Sequence, residues 1–138
     1  MKGKGDMGAF SDTEEARRYF QGDKYAMITG VRLEELTDEY SLASLVISDI
    51  HKNANGGIMG GAIFILADFA FAVLSNHIHM PTVAQQVSIN YLGAPKGDTL
   101  FARAVCKKDG SRTTVMNVDV TDDTGRNIAQ FIGSGFKL

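Results

Sequence analysis

The sequence predicts an α+β fold in which one antiparallel sheet wraps a single long central helix. Three observations predict it. Residues 60 to 74, GGAIFILADFAFAVL, are apolar on nearly every side and open on two glycines. Stretches of period-two alternation flank them, and Asp109-Gly110 and Thr124-Gly125 stand between such stretches as hairpin turns. A helix that is apolar all round must also be covered all round. A curling sheet covers most of it, and a second copy of the chain covers the rest.

Residues 1 to 11 read as a disordered leader and 12 to 138 as one domain. Gly3, Gly5 and Gly8 have GxGxxG spacing, but that motif needs a strand ahead of it, and here there is no room for one. Ser11-Asp12-Thr13-Glu14 is a capping-box pattern that opens a short helix to about Gln21, where Gly22 stops it. Met27 to Leu36 and Tyr40 to Ser48, rich in β-branched and large apolar residues, predict two strands around Thr37-Asp38. The loop HKNANGGIMGG then leads into the apolar segment. Its length and its alanines (Ala62, Ala67, Ala70, Ala72) favour a helix ending near Asn76 over a buried strand. After Pro81, Val87, Ile89 and Tyr91 alternate with Gln86, Ser88 and Asn90. Leu100, Ala102, Ala104 and Cys106 form one face of the next strand, Met116, Val118 and Val120 one face of another, and Ile128 to Phe136 closes the meander.

Composition removes several function classes. Lys and Arg number 14 against 16 Asp and Glu, a net charge of −2, and the basic residues are scattered, so nucleic acid is not the expected partner. The single cysteine, Cys106, makes no intramolecular disulfide and no secretory leader opens the chain, which together predict a cytoplasmic location. The apolar run Ile58 to Leu74 falls short of a typical membrane span, holds two glycines and is broken by Asp68, so no membrane helix is expected.

Asp68 is the residue that does not fit. On a helical wheel it shares a stripe with Gly61, Phe64, Ile65, Phe71, Ala72 and Ser75, with no Lys, Arg or His three or four residues away. Either this stripe faces water, or the carboxylate lines a cleft and burial tunes its proton affinity for use as a base or nucleophile. Gly56, Gly57, Gly60 and Gly61 lie ahead of it at a helix start, where free N–H groups favour negative charge and suit the oxyanion of a carbonyl under attack. The same glycines also read as a plain flexible connection. A catalytic reading carries a geometric demand: Gly60 and Asp68 lie roughly 12 Å apart along one helix, yet both must come within about 3 Å of one reacting group. Two helices antiparallel about a two-fold axis meet that demand, so a real site implies a homodimer or a dimer of dimers.

At these residues the chain resembles the hotdog-fold acyl-CoA thioesterases, specifically the phenylacetate-degradation (PaaI-like) group. The matching run is Asn53, Ala54, Asn55, Gly56, Gly57, Ile58, Met59, Gly60, Gly61, then Leu66-Ala67-Asp68, and the element order agrees from about residue 12 onward. The resemblance implies hydrolysis of an acyl-CoA thioester, with Asp68 as nucleophile or general base, the Gly60 amide as oxyanion donor and Asn53 placing water or the thioester. It sets Gly61, Met59, Phe64, Gln85 and Gln86 against the substrate. Two departures stand out: Met59 occupies a position that is His in many members, and Ala84, beside Gln85, stands where some have Ser.

Two other functions fit the same fold. A hotdog dehydratase pairs a helix carboxylate with a loop His, for which His51 is the candidate; a non-catalytic acyl-CoA binder needs no base at all. His51 is otherwise expected to be solvent-exposed. His77 and His79 lack a third ligand at useful spacing, so neither metal nor cofactor is expected. Cys106 reads as a core residue, and Gly133-Ser134-Gly135 lacks the strand-turn-helix context of a nucleophile elbow. Lys96, Arg103, Lys107, Lys108 and Arg112 read as solvated strand ends or as partners of CoA phosphates. Phe64, Phe71 and Tyr91 fit an aryl or medium-chain pocket or the core equally well.

Overall fold

A computed structural model describes residues 8–138. The leader expected over residues 1 to 7, with Gly3 and Gly5, lies outside the described residues. Residues 8–11, also assigned to that leader, are instead part of the domain. Phe10 is buried, the Ala9 N–H donates to the His77 carbonyl at 2.8 Å and the Phe10 N–H to His77 Nδ1 at 3.3 Å. Burial of the Phe10 side chain and these two hydrogen bonds work against the entropy of ordering the segment.

Helix α1 covers Thr13–Phe20 and is capped by Asp12, one residue later than the pattern suggested. The Asp12 carboxylate accepts the Glu15 N–H at 2.8 Å, while Glu15 reaches back to the Ser11 N–H. The first expected strand is divided. Lys24–Thr29 is helix α2, ended by Gly30 at φ 102°, and only Arg32–Leu36 is strand β1. Asp23 before α2 and Gly30 after it are the helix boundaries that the apolar content of Met27 to Leu36 concealed.

The remaining elements follow the expected order: β2 Tyr40–Val46, a 3-10 turn Asp49–His51, α3 Gly60–Ile78, β3 Thr82–Tyr91, β4 Thr99–Asp109, β5 Thr113–Asp122 and β6 Asn127–Lys137. They form one six-stranded antiparallel sheet in the order β1-β2-β4-β5-β6-β3, curled about α3. Leu66, Phe71 and Leu74 of α3 are fully covered, as are Leu100, Met116, Val118, Val120 and Phe131 on the sheet. Each such side chain contributes roughly 1.5–3 kcal/mol on burial. Gly133 and Gly135 have a packing role: a Cβ on Gly133 would lie 2.9 Å from the Phe71 ring, so β6 gives up side chains to let α3 approach. By length and composition the 19-residue α3 is able to cross a membrane, but its apolar side chains fill the core.

The sheet does not close over α3. Gly61, Ala62, Phe64, Ile65, Asp68, Ala72 and Asn76 form a stripe that is only partly covered, whereas Phe71 and Ser75, expected beside Asp68, are buried. The open stripe is therefore rotated from the one the helical wheel suggested. At one edge of the sheet most of β3 is exposed, with Val83 and Tyr91 about half accessible, while Val87 and Ile89 lie partly buried against the core.

Candidate active site

Asp68 sits midway along α3, half-buried, and lines a cavity of about 240 Å³ with Asp23, Lys24, Tyr25, Ala26, Ile65 and Phe69. Burial pushes its carboxyl above the ordinary aspartate range, and the neighbouring Asp23 charge adds to the effect. No basic side chain pairs with it among the described residues. Asp23 itself is raised by partial burial. Sequence reading missed α2 as one wall of this cavity, because its contact with α3 is tertiary and leaves no periodic trace.

The other half of the candidate site is the loop before α3. Asn53 organises it: its Oδ1 accepts the Asn55 and Gly57 N–H groups at 2.9 and 3.2 Å, and its own N–H donates to the Gly57 carbonyl at 2.7 Å. The side-chain carbonyl is thereby occupied, while Nδ2 has no protein acceptor among the described residues. The Met59 N–H donates to the His51 carbonyl and the Ala62 N–H to the Met59 carbonyl, so Gly60 and Gly61 retain N–H groups without a protein acceptor among the described residues. Two free donors thus stand at the positive end of α3, in the chemical form an oxyanion requires.

His51 contradicts the expectation of a solvent-exposed ring. It is buried, its Nδ1 accepts the Ser48 N–H at 3.0 Å, and its Nε2 donates to the Thr29 carbonyl at 2.7 Å. Nδ1 closes the turn that begins at Ser48 and Nε2 ties it to α2, so both ring nitrogens are engaged and neither is available for proton transfer. Met59 is half-exposed beside Tyr25, Ile28 and Ile50 around a cavity of about 170 Å³. Phe64 turns the other way and meets Phe131 edge to face, with ring centroids 5.6 Å apart. Gln85 falls in a β-bulge between Ala84 and Gln86, and both glutamines are exposed on the edge strand, outside the Asp68 cavity. Among the described residues no three His, Cys, Asp or Glu side chains converge as metal ligands would.

A long helix wrapped by a single antiparallel sheet, with a half-buried carboxylate midway and free glycine amides at its start, defines a hotdog-fold protein. Residues 55–129 match the thioesterase superfamily model. A putative esterase of Archaeoglobus fulgidus is 31% identical over 86% of this chain and 78% of its own length. The acyl-coenzyme A thioesterase PaaI of Escherichia coli is 25% identical over 91% of this chain and 90% of its own. The solved structure of E. coli PaaI superposes with a TM-score of 0.84 at 23% identity, covering 91% of each chain. A hypothetical thioesterase crystallised with coenzyme A, from Streptococcus pneumoniae, has a TM-score of 0.79 at 28% identity, covering 86% of this chain and 94% of that one. The chain belongs to the thioesterase superfamily and is a PaaI-like hotdog thioesterase.

Proposed function

We propose that the protein hydrolyses acyl-CoA thioesters at a site shared by two copies of the chain, with Asp68 of one copy and the Gly60 and Gly61 amides of the other addressing the same carbonyl. One observation carries this reading: the carboxylate and the free donors stand on one unbroken helix, eight residues apart. At 1.5 Å rise per residue that is roughly 12 Å, too far for one copy to hold both on one carbonyl. The half-open stripe of α3 and the exposed edge strand β3 support a homodimer, or a dimer of dimers, as the unit that completes the site. The coenzyme A held by the S. pneumoniae protein supports acyl-CoA as the substrate class.

In this reading a water oxygen attacks the thioester carbon while its proton passes to Asp68, or Asp68 itself attacks and water then cleaves the anhydride. The oxyanion accepts the glycine N–H groups, the C–S bond breaks, and the thiolate leaves and takes up a proton. The raised proton affinity of Asp68 suits a base, and the free Nδ2 of Asn53 suits placing water or the thioester. Met59 offers the substrate an apolar contact and no hydrogen bond. Engagement of both His51 nitrogens speaks against a dehydratase. The lone cysteine suits a reducing compartment, and the cytoplasm is the location this reading assigns.

Hydrolysis measured across straight-chain and aryl-CoA esters tests the proposal. Asp68→Asn lowers turnover by a factor of order 10² or more, the scale of losing a general base, with the circular dichroism spectrum unchanged. Undiminished turnover by Asp68→Asn contradicts the mechanism. Tight acyl-CoA binding by the wild type without turnover replaces it with the binder.

A further inference from the structure

Tyr91 lies at the far end of edge strand β3, remote in sequence from the glycine loop. Its Oη donates to the Gly60 carbonyl at 3.1 Å. Its ring covers Gly60 so closely that a Cβ there would sit 3.0 Å from Cζ and 3.1 Å from Oη. The ring is nonetheless about half exposed, so core filling does not account for its placement. The Gly60 carbonyl and the Gly61 N–H belong to one peptide group. A hydrogen bond accepted by that carbonyl draws electron density from the amide and strengthens its N–H as a donor.

We propose that Tyr91 is a positioning residue for the oxyanion donors: it fixes the Gly60–Gly61 peptide plane and polarises the Gly61 N–H, making Gly61 a second oxyanion donor beside Gly60. The inference rests on the hydrolytic reading above. It adds a group that touches the donor peptide without touching the reacting atoms.

Tyr91→Phe keeps the ring and removes only the hydroxyl. With the full-length protein and an acyl-CoA substrate, kcat falls about five-fold, as expected for one hydrogen bond felt in the transition state, while KM stays within about two-fold because substrate binding is untouched. In ¹H–¹⁵N spectra the Gly61 amide moves upfield while Gly56 and Gly57 stay in place. An unchanged kcat in Tyr91→Phe, or a Gly61 resonance that does not move in that variant, overturns the proposal. So does a lower melting temperature with kcat and KM changing together and Gly61 unmoved, which marks a structural role only. Asp68→Asn separates the two claims: inactive Asp68→Asn beside fully active Tyr91→Phe removes this inference alone, and active Asp68→Asn removes the hydrolytic reading beneath it.

Discussion

Two aspartates show how opposite surroundings give one side chain opposite roles. Asp68 has apolar neighbours and a second carboxylate nearby, so its carboxyl is held above the ordinary range. A group whose native proton affinity is raised contributes stability below its unfolded pKa of about 3.9 and loses it as pH rises through the native value. Once ionised, Asp68 therefore costs stability. Asp68→Asn, neutral throughout, should melt higher than wild type at pH 7 and no higher at pH 3, as thermal scans at the two pH values will show. A lower melting temperature at pH 7 would assign the acid a structural purpose. Under the proposed mechanism the same raised affinity places the acid limb of kcat/KM above the ordinary aspartate range, since a base must be ionised to act. Asp68 was legible in the sequence because a charge in an apolar helix demands an explanation. Tyr91 and Asp23 were not, because each reaches the site from an element distant in sequence.

Among the elements, β5 ends on the other aspartate. Asp122 is buried and accepts the Lys96, Gly97, Thr124 and Arg126 N–H groups and the Thr124 hydroxyl, joining the β5–β6 turn to the segment ahead of β4. These donors, led by the Thr124 hydroxyl, hold its carboxyl far below the ordinary range. The sign is reversed: its contribution is present above pH 4 and fades as pH falls through the depressed native value. Asp122→Asn should lower the melting temperature at pH 7, with the gap to wild type shrinking below about pH 4, near the unfolded pKa. A gap that persists unchanged at pH 2 would show that the charge is not what the turn uses. The strands of this hairpin were readable because their alternation and Thr124-Gly125 are local signals. Helix α2 was missed because its six residues are too few to show a period, and only Asp23 and Gly30 mark its ends. His51 was misplaced for a related reason: a polar residue in a glycine-rich loop reads as solvated, and its burial comes from the Thr29 carbonyl on α2.

On the scale of the whole molecule, the core helix explains the fold and underlies the proposal of a site shared by two copies. Its apolar circumference forces the sheet to curl around it, and the stripe left uncovered carries the carboxylate. The account therefore stands on the carboxylate and the glycine amides meeting across two copies. Mixing two inactive variants tests this most directly. Asp68→Asn removes the base, and Gly60→Pro removes an amide donor at the first position of α3, where proline is tolerated and the half-exposed Tyr91 ring must give way to its Cβ. Each mixed dimer then holds one site with both defects and one with neither. With random exchange of equal amounts about half the dimers are mixed, so two-fold symmetry returns roughly a quarter of wild-type hydrolysis. Recovery near that level, from parents that are folded and inactive alone, is the predicted result. A mixture that stays inactive although exchange is demonstrated would mean that Asp68 and the Gly60 amide do not meet across the two copies.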